Sequence, residues 1–148
     1  MIKRLQNQQE DIAVEIRNVF QLSYAVEARL LDADDFPPLK RPLESFVESN
    51  EEFYGYYVSA ELAGVIAIDF TDRGIHINSL VVKPAYFRRG IGRQLIEFIF
   101  EQHQVPFHSV ATGAKNAPAI ALYEKLGFKV VKEWDTDFGI RKVFMERE

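Results

Sequence analysis

The sequence predicts an α/β domain built around a mixed β-sheet. The chain has 148 residues, a usual length for one domain, and 47% of them are hydrophobic, which is enough for a buried core. Apolar residues recur at helical spacing in some segments and in short β-rich runs in others. These segments follow the order β-α-α-β-β-β-α-β-α-β-β, with no internal repeat and no dividing linker. We therefore expect residues 1–148 to form a single domain.

Two helices follow a short first strand. Ile2–Leu5 is the strand, and residues 9–31 form the first helix because their apolar side chains recur every three or four positions. Asn7, with Glu10 three residues later, resembles a capping box at the start of that helix. Two consecutive prolines end the helical pattern, and a second short helix is predicted over residues 43–49.

Three strands occupy the middle of the chain. Residues 53–58 are aromatic and β-branched and residues 62–70 are almost all apolar, so the short polar link between them predicts a hairpin. A turn at residues 72–74 leads into the third strand, Ile75–Val82. Pro84 ends this strand, and a glycine-containing loop follows.

The C-terminal part alternates helix and strand before a final pair of strands. Helix Ile91–Gln102 has one apolar face, and a proline separates it from a strand over residues 107–112. The last three elements are a helix over residues 117–126 and two strands over residues 129–134 and 140–146. Asn116 is the predicted N-cap of that helix, and Gly127 is its left-handed C-terminal cap.

Composition disfavours several functional classes. The chain has no cysteine, which excludes disulfides, thiol nucleophiles and cysteine-ligated metals, and its three histidines lack the spacing of zinc ligands. No run of about 18 apolar residues would span a bilayer, and the polar N-terminal stretch does not resemble a secretory signal. We therefore expect a cytoplasmic protein with no metal and no membrane partner. The net charge of −4 disfavours nucleic-acid binding.

Charge is distributed unevenly along this acidic chain. Residues 83–93 contain no acid and four bases, which are Lys83, Arg88, Arg89 and Arg93. Residues 27–52 contain eight acids against three bases. The acidic segment is either a solvated helix surface or a wall that attracts cations.

The basic segment belongs to a strand–loop–helix stretch, LVVKPAYFRRGIGR, over residues 80–93. Gly90 and Gly92 let the backbone turn tightly and let an anion approach its amides, and a helix N-terminus favours phosphate. We expect a phosphate or pyrophosphate site here; the alternative is a solvated basic turn whose glycines only pack. No Walker sequence occurs, and Leu95 stands where a dinucleotide fingerprint has its third glycine.

Two motifs together resemble the GNAT superfamily of N-acetyltransferases. VVKPAYFRRGIGRQLIEF, residues 81–98, is similar to the family's Gln/Arg-x-x-Gly-x-Gly/Ala motif, with Phe87 in the place of the first Gln or Arg. NAPAIALYEKLGF, residues 116–128, is similar to its Asn-x-x-Ala-x-x-Leu-Tyr-x-x-x-Gly-Phe segment. The resemblance implies the GNAT fold, a mixed central sheet of about seven strands with about four helices, splayed between the fourth and fifth strands.

The resemblance also implies acetyl-CoA as co-substrate, held in the cleft between the splayed strands. The pantetheine arm would extend the edge of the fourth strand, main-chain N–H groups of the loop would bind the pyrophosphate, and Asn116 would contact the arm as well as cap its helix. The implied binding residues are Leu80, Val81, Val82, Arg88, Arg89, Gly90, Ile91, Gly92, Arg93, Asn116 and Tyr123.

The implied reaction is direct attack of a neutral amine on the thioester in a ternary complex, since the chain has no cysteine to carry the acetyl group. Tyr123 matches the family's general acid. His76 stands where many relatives carry a glutamate base; a structural role for this histidine and a water chain as base are the alternatives. A main-chain N–H near Val82 would stabilise the oxyanion.

The implied acceptor is a primary amine of a small molecule, a peptide or a protein. The acidic segment at residues 27–52 favours a cationic acceptor. The alternative function is a non-catalytic acyl-CoA-binding sensor or interaction module on the same fold. An exposed final strand would also permit a homodimer.

Overall fold

Seven strands and four helices make up the protein in the computed structural model, which describes residues 1–148. The strands are β1 (Ile2–Leu5), β2 (Glu52–Val58), β3 (Glu61–Phe70), β4 (Ile75–Val82), β5 (His108–Gly113), β6 (Lys129–Asp135) and β7 (Arg141–Arg147). The helices are α1 (Glu10–Leu30), α2 (Leu43–Val47), α3 (Ile91–Gln102) and α4 (Ala117–Lys125). The predicted bounds of β1, β4 and α3 are confirmed, and every other element begins and ends within about two residues of its prediction.

The strands form one mixed sheet in the order β1-β2-β3-β4-β5-β7-β6. β4 and β5 are parallel, and every other neighbouring pair is antiparallel. The predicted α/β class with seven strands and four helices is confirmed. The final strand, β7, lies between β5 and β6, so the free edge on this side of the sheet belongs to β6 and not to the last strand.

β4 and β5 separate after a short paired stretch, as the splay predicted for the fourth and fifth strands requires. They pair only where residues 75–77 meet residues 108–110. β3, in contrast, pairs with β4 as far as Val82. A register shift in the β3–β4 pairing leaves Asn78 without a partner at the point where β4 and β5 part. Residues 78–82 therefore present a free main-chain edge to the gap.

Different helices cover the two faces of the sheet. α1 and α2 pack on one face around Phe20, Phe46 and Phe53, whose rings contact one another. α3 and α4 cover the other face, where Leu95 and Phe128 are buried. Burial of each such side chain contributes about 1.5–3 kcal/mol to stability. None of the helices combines the length and the apolar character needed to cross a bilayer.

The predicted capping box at the start of α1 is wrong. The N-cap of the helix is Gln9, which makes no side-chain capping hydrogen bond. Asn7 is fully buried, and its Nδ2 donates to the carbonyl oxygens of Phe46 at 2.7 Å and Ser49 at 3.1 Å. The carbonyl groups at the end of α2 need donors, so the Asn7 amide satisfies them and is turned away from α1.

His108 is a buried histidine whose two ring nitrogens have no hydrogen-bond partner. Its ring lies edge-on to Phe100 at 4.7 Å. Burial, followed by the charge of Arg147, lowers the pKa of His108 from its ordinary value to about 4. The unfolded chain therefore binds more protons than the folded protein between about pH 4 and pH 6.5, so stability falls as pH drops through this range.

We expect the pH dependence of stability to weaken in His108→Leu. On the scale of about 1.4 kcal/mol per pKa unit, His108 accounts for a loss of about 2.5 kcal/mol between pH 7.5 and pH 4.5. Chemical denaturation of both proteins at these two pH values measures the effect, and the carboxylates that the proteins share cancel in the comparison. If both proteins lose the same free energy of unfolding, His108 is not responsible.

Candidate active site

A cleft of about 840 Å³ opens where β4 and β5 separate. α1, the segment between α1 and β2, β4, β5, α4 and the loop before α3 all contribute to its lining. Nine of the residues predicted to bind acetyl-CoA line it, which are Leu80, Val82, Arg88, Gly90, Ile91, Gly92, Arg93, Asn116 and Tyr123. Val81 and Arg89 are outside the lining, since Val81 is buried in the core beneath α1 and Arg89 lies over the Tyr86 ring at 5.1 Å.

The loop before α3 presents a continuous row of main-chain N–H groups. None of the N–H groups of residues 88–93 donates a hydrogen bond within the protein. Arg88 and Gly90 adopt the left-handed conformation, with φ of +66° and +73°, on either side of Arg89. Such alternation makes successive N–H groups converge on one point, and the start of a helix adds its positive dipole end. Unpaired N–H groups in this arrangement are suited to an anion, and the pyrophosphate site expected here stays a prediction.

The bases of this segment divide between the cleft and the surface around it. Arg88 and Arg93 line the cleft, and Arg93 lies 3.5 Å from Glu97 one turn along α3. Lys83 forms an ion pair with Glu61 at 3.1 Å and takes no part in the lining. Two of the four bases thus add positive charge beside the row of N–H groups. Most of the hydrogen-bond donors available to an anion belong to that row.

The free edge of β4 forms one wall of the cleft. The Lys83 N–H donates to Ala63 of β3. Because main-chain groups alternate along a strand, the N–H and C=O groups of Leu80 and Val82 point to the opposite side, into the cleft. The Val82 N–H donates to Ser23 Oγ of α1 at 3.3 Å. This edge offers the donors and acceptors that an extended chain needs for strand-like pairing.

Asn116 joins α4 to α1. Its Oδ1 accepts a hydrogen bond from the Ala119 N–H at 3.3 Å, so the predicted N-cap is confirmed. Its Nδ2 donates to Glu27 Oε1 at 2.6 Å. One side chain therefore caps a helix and orients a carboxylate of the cleft, while its contact with pantetheine stays a prediction.

Tyr123 lines the cleft with a hydroxyl that has no hydrogen-bond partner in the protein. Its ring is buried and packs edge-on against Phe128 at 5.5 Å. Burial, with smaller contributions from Tyr24 and Glu27, raises the pKa of Tyr123 above its ordinary value. The phenol therefore keeps its proton at neutral pH and directs it into the cleft.

The sequence reasoning did not identify Ser23 and Tyr24 of α1 as parts of this site, and it included Glu27 only as one member of the acidic segment. Ser23, Tyr24 and Glu27 line the cleft on the same side of the helix as the buried Phe20. Tyr24 donates a hydrogen bond to Ser79 Oγ at 3.1 Å, and burial raises the pKa of Tyr24. Their position on the buried face of an amphipathic helix was the sequence signal that could have identified these polar residues as part of a site.

His76 lies outside the lining of the cleft. It is on the part of β4 that still pairs with β5, opposite Ser109, and its Nδ1 lies 2.7 Å from Ser109 Oγ. Its ring stacks on Phe144 at a centroid distance of 5.9 Å, and burial lowers the pKa of His76. The role of His76 as general base stays a prediction.

The acidic segment at residues 27–52 contributes two carboxylates to the cleft, Glu27 and Glu51. Glu51 is held by Arg41 at 2.9 Å, by the Ser49 hydroxyl at 2.7 Å and by the Asn78 amide at 2.9 Å. Five of the other acids face solvent, which are Asp32, Asp34, Asp35, Glu44 and Glu48. The segment is thus mostly a solvated surface, with two acids turned inward. No group of three or more His, Asp or Glu side chains is arranged to hold a metal ion.

Comparison with known proteins shows which domain this chain is similar to. The family model described as the acetyltransferase (GNAT) domain matches residues 49–130, which is more than half of the chain. The UPF0157 protein YqkA of Bacillus subtilis (strain 168) is 35% identical over 130 residues. That alignment covers 87% of this chain but 38% of YqkA, so the chain spans well under half the length of this relative.

Two solved structures show the same fold at low sequence identity. The ribosomal-protein-S18-alanine N-acetyltransferase of Escherichia coli has a TM-score of 0.79 and 21% identity, covering 99% of this chain and 92% of that one. The PaiA N-acetyltransferase of Thermoplasma acidophilum, in complex with coenzyme A, has a TM-score of 0.75 and 20% identity, covering 100% and 99%. The arrangement of strands and helices around the cleft is therefore common to the three proteins.

Proposed function

This chain belongs to the GNAT acetyltransferase family, and from that premise we propose that it transfers the acetyl group of acetyl-CoA directly to a primary amine within a ternary complex. One observation carries the proposal: the same cleft is lined by five residues with unpaired N–H groups, Arg88, Gly90, Ile91, Gly92 and Arg93, and by Tyr123, whose hydroxyl has no partner in the protein. The unpaired N–H groups bind an anion, and the Tyr123 hydroxyl offers a proton. We extend the proposal to residues 1–148 as one domain, since every strand belongs to one sheet.

The residues of the cleft fit acetyl-CoA in three places. The N–H row of the loop, with Arg88 and Arg93, suits the pyrophosphate. The edge of β4 at Leu80 and Val82 suits the amide groups of pantetheine, which pair as an added strand does. Asn116 lines the cleft at the start of α4, and we assign its amide a contact with the pantetheine arm.

The proposed chemistry uses groups at the thioester end of the cleft. Tyr123 gives its phenolic proton to the departing sulfur. Main-chain N–H groups of the β4 edge around Val82 stabilise negative charge on the carbonyl oxygen. The Val82 N–H is already bonded to Ser23 Oγ, so this hydroxyl is placed to share in that stabilisation.

Release of free CoA from acetyl-CoA tests the proposal on a panel of polyamines, aminoglycosides and peptides. We expect amine-dependent CoA release and an acetylated product whose mass is raised by one acetyl group. Initial rates with both substrates varied should give intersecting lines, as a ternary complex requires. Tight acetyl-CoA binding with no turnover on any amine would instead favour the non-catalytic sensor or interaction module.

A further inference from the structure

Glu27 projects from α1 into the cleft and is held there from the opposite wall. Its Oε1 accepts the hydrogen bond from Asn116 Nδ2 at 2.6 Å, across 89 residues of sequence. Its Oε2 makes no hydrogen bond within the protein. The Asn116 amide therefore fixes the orientation of the carboxylate and leaves Oε2 without a partner in the protein, on a residue that lines the cleft.

Glu27 differs from the other carboxylate of the cleft in having no cationic partner. Glu51 forms an ion pair with Arg41 at 2.9 Å and is fully engaged by neighbouring donors. Glu27 forms no ion pair; the charge of Lys142 on β7 is near enough to act on it but does not contact it. A half-buried carboxylate with a free oxygen and no cation is suited to receive a positively charged group from solution.

Glu27 also shares the cleft with the proposed proton donor, Tyr123, and lies within reach of it electrostatically. Tyr24 of α1 and Tyr123 of α4 both experience its charge, which raises the pKa of each phenol further. Burial in turn raises the pKa of Glu27 above its ordinary value of 4.5, against the smaller effects of Asn116 and Lys142. A carboxylate whose pKa is raised in this way is a stronger base than one in water.

We propose that Glu27 is the general base of the reaction and that the acceptor enters as a protonated primary amine, an inference that rests on the proposed acetyl transfer. Oε2 takes one proton from the ammonium group, which leaves a neutral amine and a neutral carboxyl. The amine lone pair forms the C–N bond, the C–S bond breaks, and the sulfur leaves with the bonding pair. Tyr123 gives its proton to the sulfur and regains one from the nitrogen, and Glu27 releases its proton to solvent.

Glu27→Gln tests this role because glutamine keeps the size of the side chain and still accepts the Asn116 hydrogen bond. We expect kcat/KM for the amine to fall about 100-fold or more at pH 7, while the dissociation constant for acetyl-CoA stays within about twofold. The lost rate should return as pH approaches about 10, because the amine then loses its proton in solution. Burial raises the pKa of both Tyr24 and Tyr123, and it does so in the variant as well, so the recovery with pH reports on the loss of the Glu27 carboxylate.

Two control variants make the result specific. Glu48→Gln removes the same charge from an exposed position of the acidic segment and should leave the rate unchanged. His76→Ala should leave the shape of the pH–rate profile unchanged. A Glu27→Gln protein with the wild-type rate and pH–rate profile overturns the inference and leaves acetyl transfer intact. The same conclusion follows if the pH–rate profile changes in His76→Ala and not in Glu27→Gln. A wild-type protein that binds acetyl-CoA but acetylates no amine overturns the proposed function first.

Discussion

Tyr123→Phe is expected to lower kcat about 100- to 1,000-fold, while the dissociation constant for acetyl-CoA stays within about twofold. Such a loss corresponds to about 3–4 kcal/mol of transition-state stabilisation. Phenylalanine keeps the ring that packs against Phe128, so the fold of α4 is preserved. Only the hydroxyl that faces the cleft is removed. Stopped-flow or steady-state CoA release measures kcat, and calorimetry measures acetyl-CoA binding.

The expected loss follows from the charge that develops on sulfur. A thiol has a pKa of about 8.5 and a phenol one of about 10, so proton transfer from Tyr123 to a thiolate is only slightly uphill in water. Burial raises the pKa of Tyr123. The same apolar surroundings disfavour a thiolate, so they raise the proton affinity of the sulfur as well. The donor and the acceptor are therefore shifted in the same direction, and transfer stays feasible.

Tyr56→Phe is the matched control for this variant. Tyr56 is a half-buried tyrosine of β2 outside the cleft, so removal of its hydroxyl should leave kcat unchanged. Unchanged turnover in Tyr123→Phe would remove the general-acid assignment and would leave water as the proton source. A weakened acetyl-CoA affinity with unchanged kcat would make Tyr123 a binding residue only.

The parts of this protein that could be predicted from the sequence depend on short stretches of chain. The bounds of α3 follow from its apolar spacing and from a loop rich in glycine and arginine. The unpaired N–H groups of that loop belong to its main chain, so the loop sequence alone was enough to predict an anion site there. The Asn116 cap is likewise local, because the side chain bonds to an N–H three residues away.

The specific contacts of α1 in the cleft could not be predicted, because each of its polar residues acts through a distant partner. Ser23, Tyr24 and Glu27 bond to groups 59, 55 and 89 residues away, respectively. Periodicity placed these residues on a helix but gave no information about which strand edge the helix would cover. Asn7 was misinterpreted for the same reason, since its partners lie about 40 residues away in and just after α2.

The position of His76 shows how a strand irregularity limits inference from a motif. The motif placed this residue on β4, four residues before Leu80. The register shift at Asn78 separates the two, so Leu80 lies on the free edge while His76 lies where β4 and β5 still pair. Simple alternation along a strand does not continue through such a shift. The sequence carries no local signal for it.

Gly92→Glu is expected to raise the dissociation constant for acetyl-CoA about 100-fold or more, which corresponds to about 2.7 kcal/mol. Gly92 lines the cleft in the first turn of α3, and its N–H belongs to the row of unpaired N–H groups. A Cβ at this position would lie at ordinary contact distances of 3.5 Å from Leu80 and 3.6 Å from Leu122, so the backbone tolerates a side chain. The added carboxylate, however, would occupy the site proposed for the pyrophosphate and repel it.

Two further variants separate the local effect from that of net charge. Gln102→Glu adds the same charge at the other end of α3 and should change the acetyl-CoA affinity less than about twofold. Gly92→Ala should keep most of the affinity, because a methyl group carries no charge. A Gly92→Glu protein that binds acetyl-CoA as tightly as the wild type would mean that residues 83–93 are a solvated basic turn. Loss of binding in Gly92→Glu alone would assign the effect to the N-terminal turn of α3, since the two Glu variants have the same net charge.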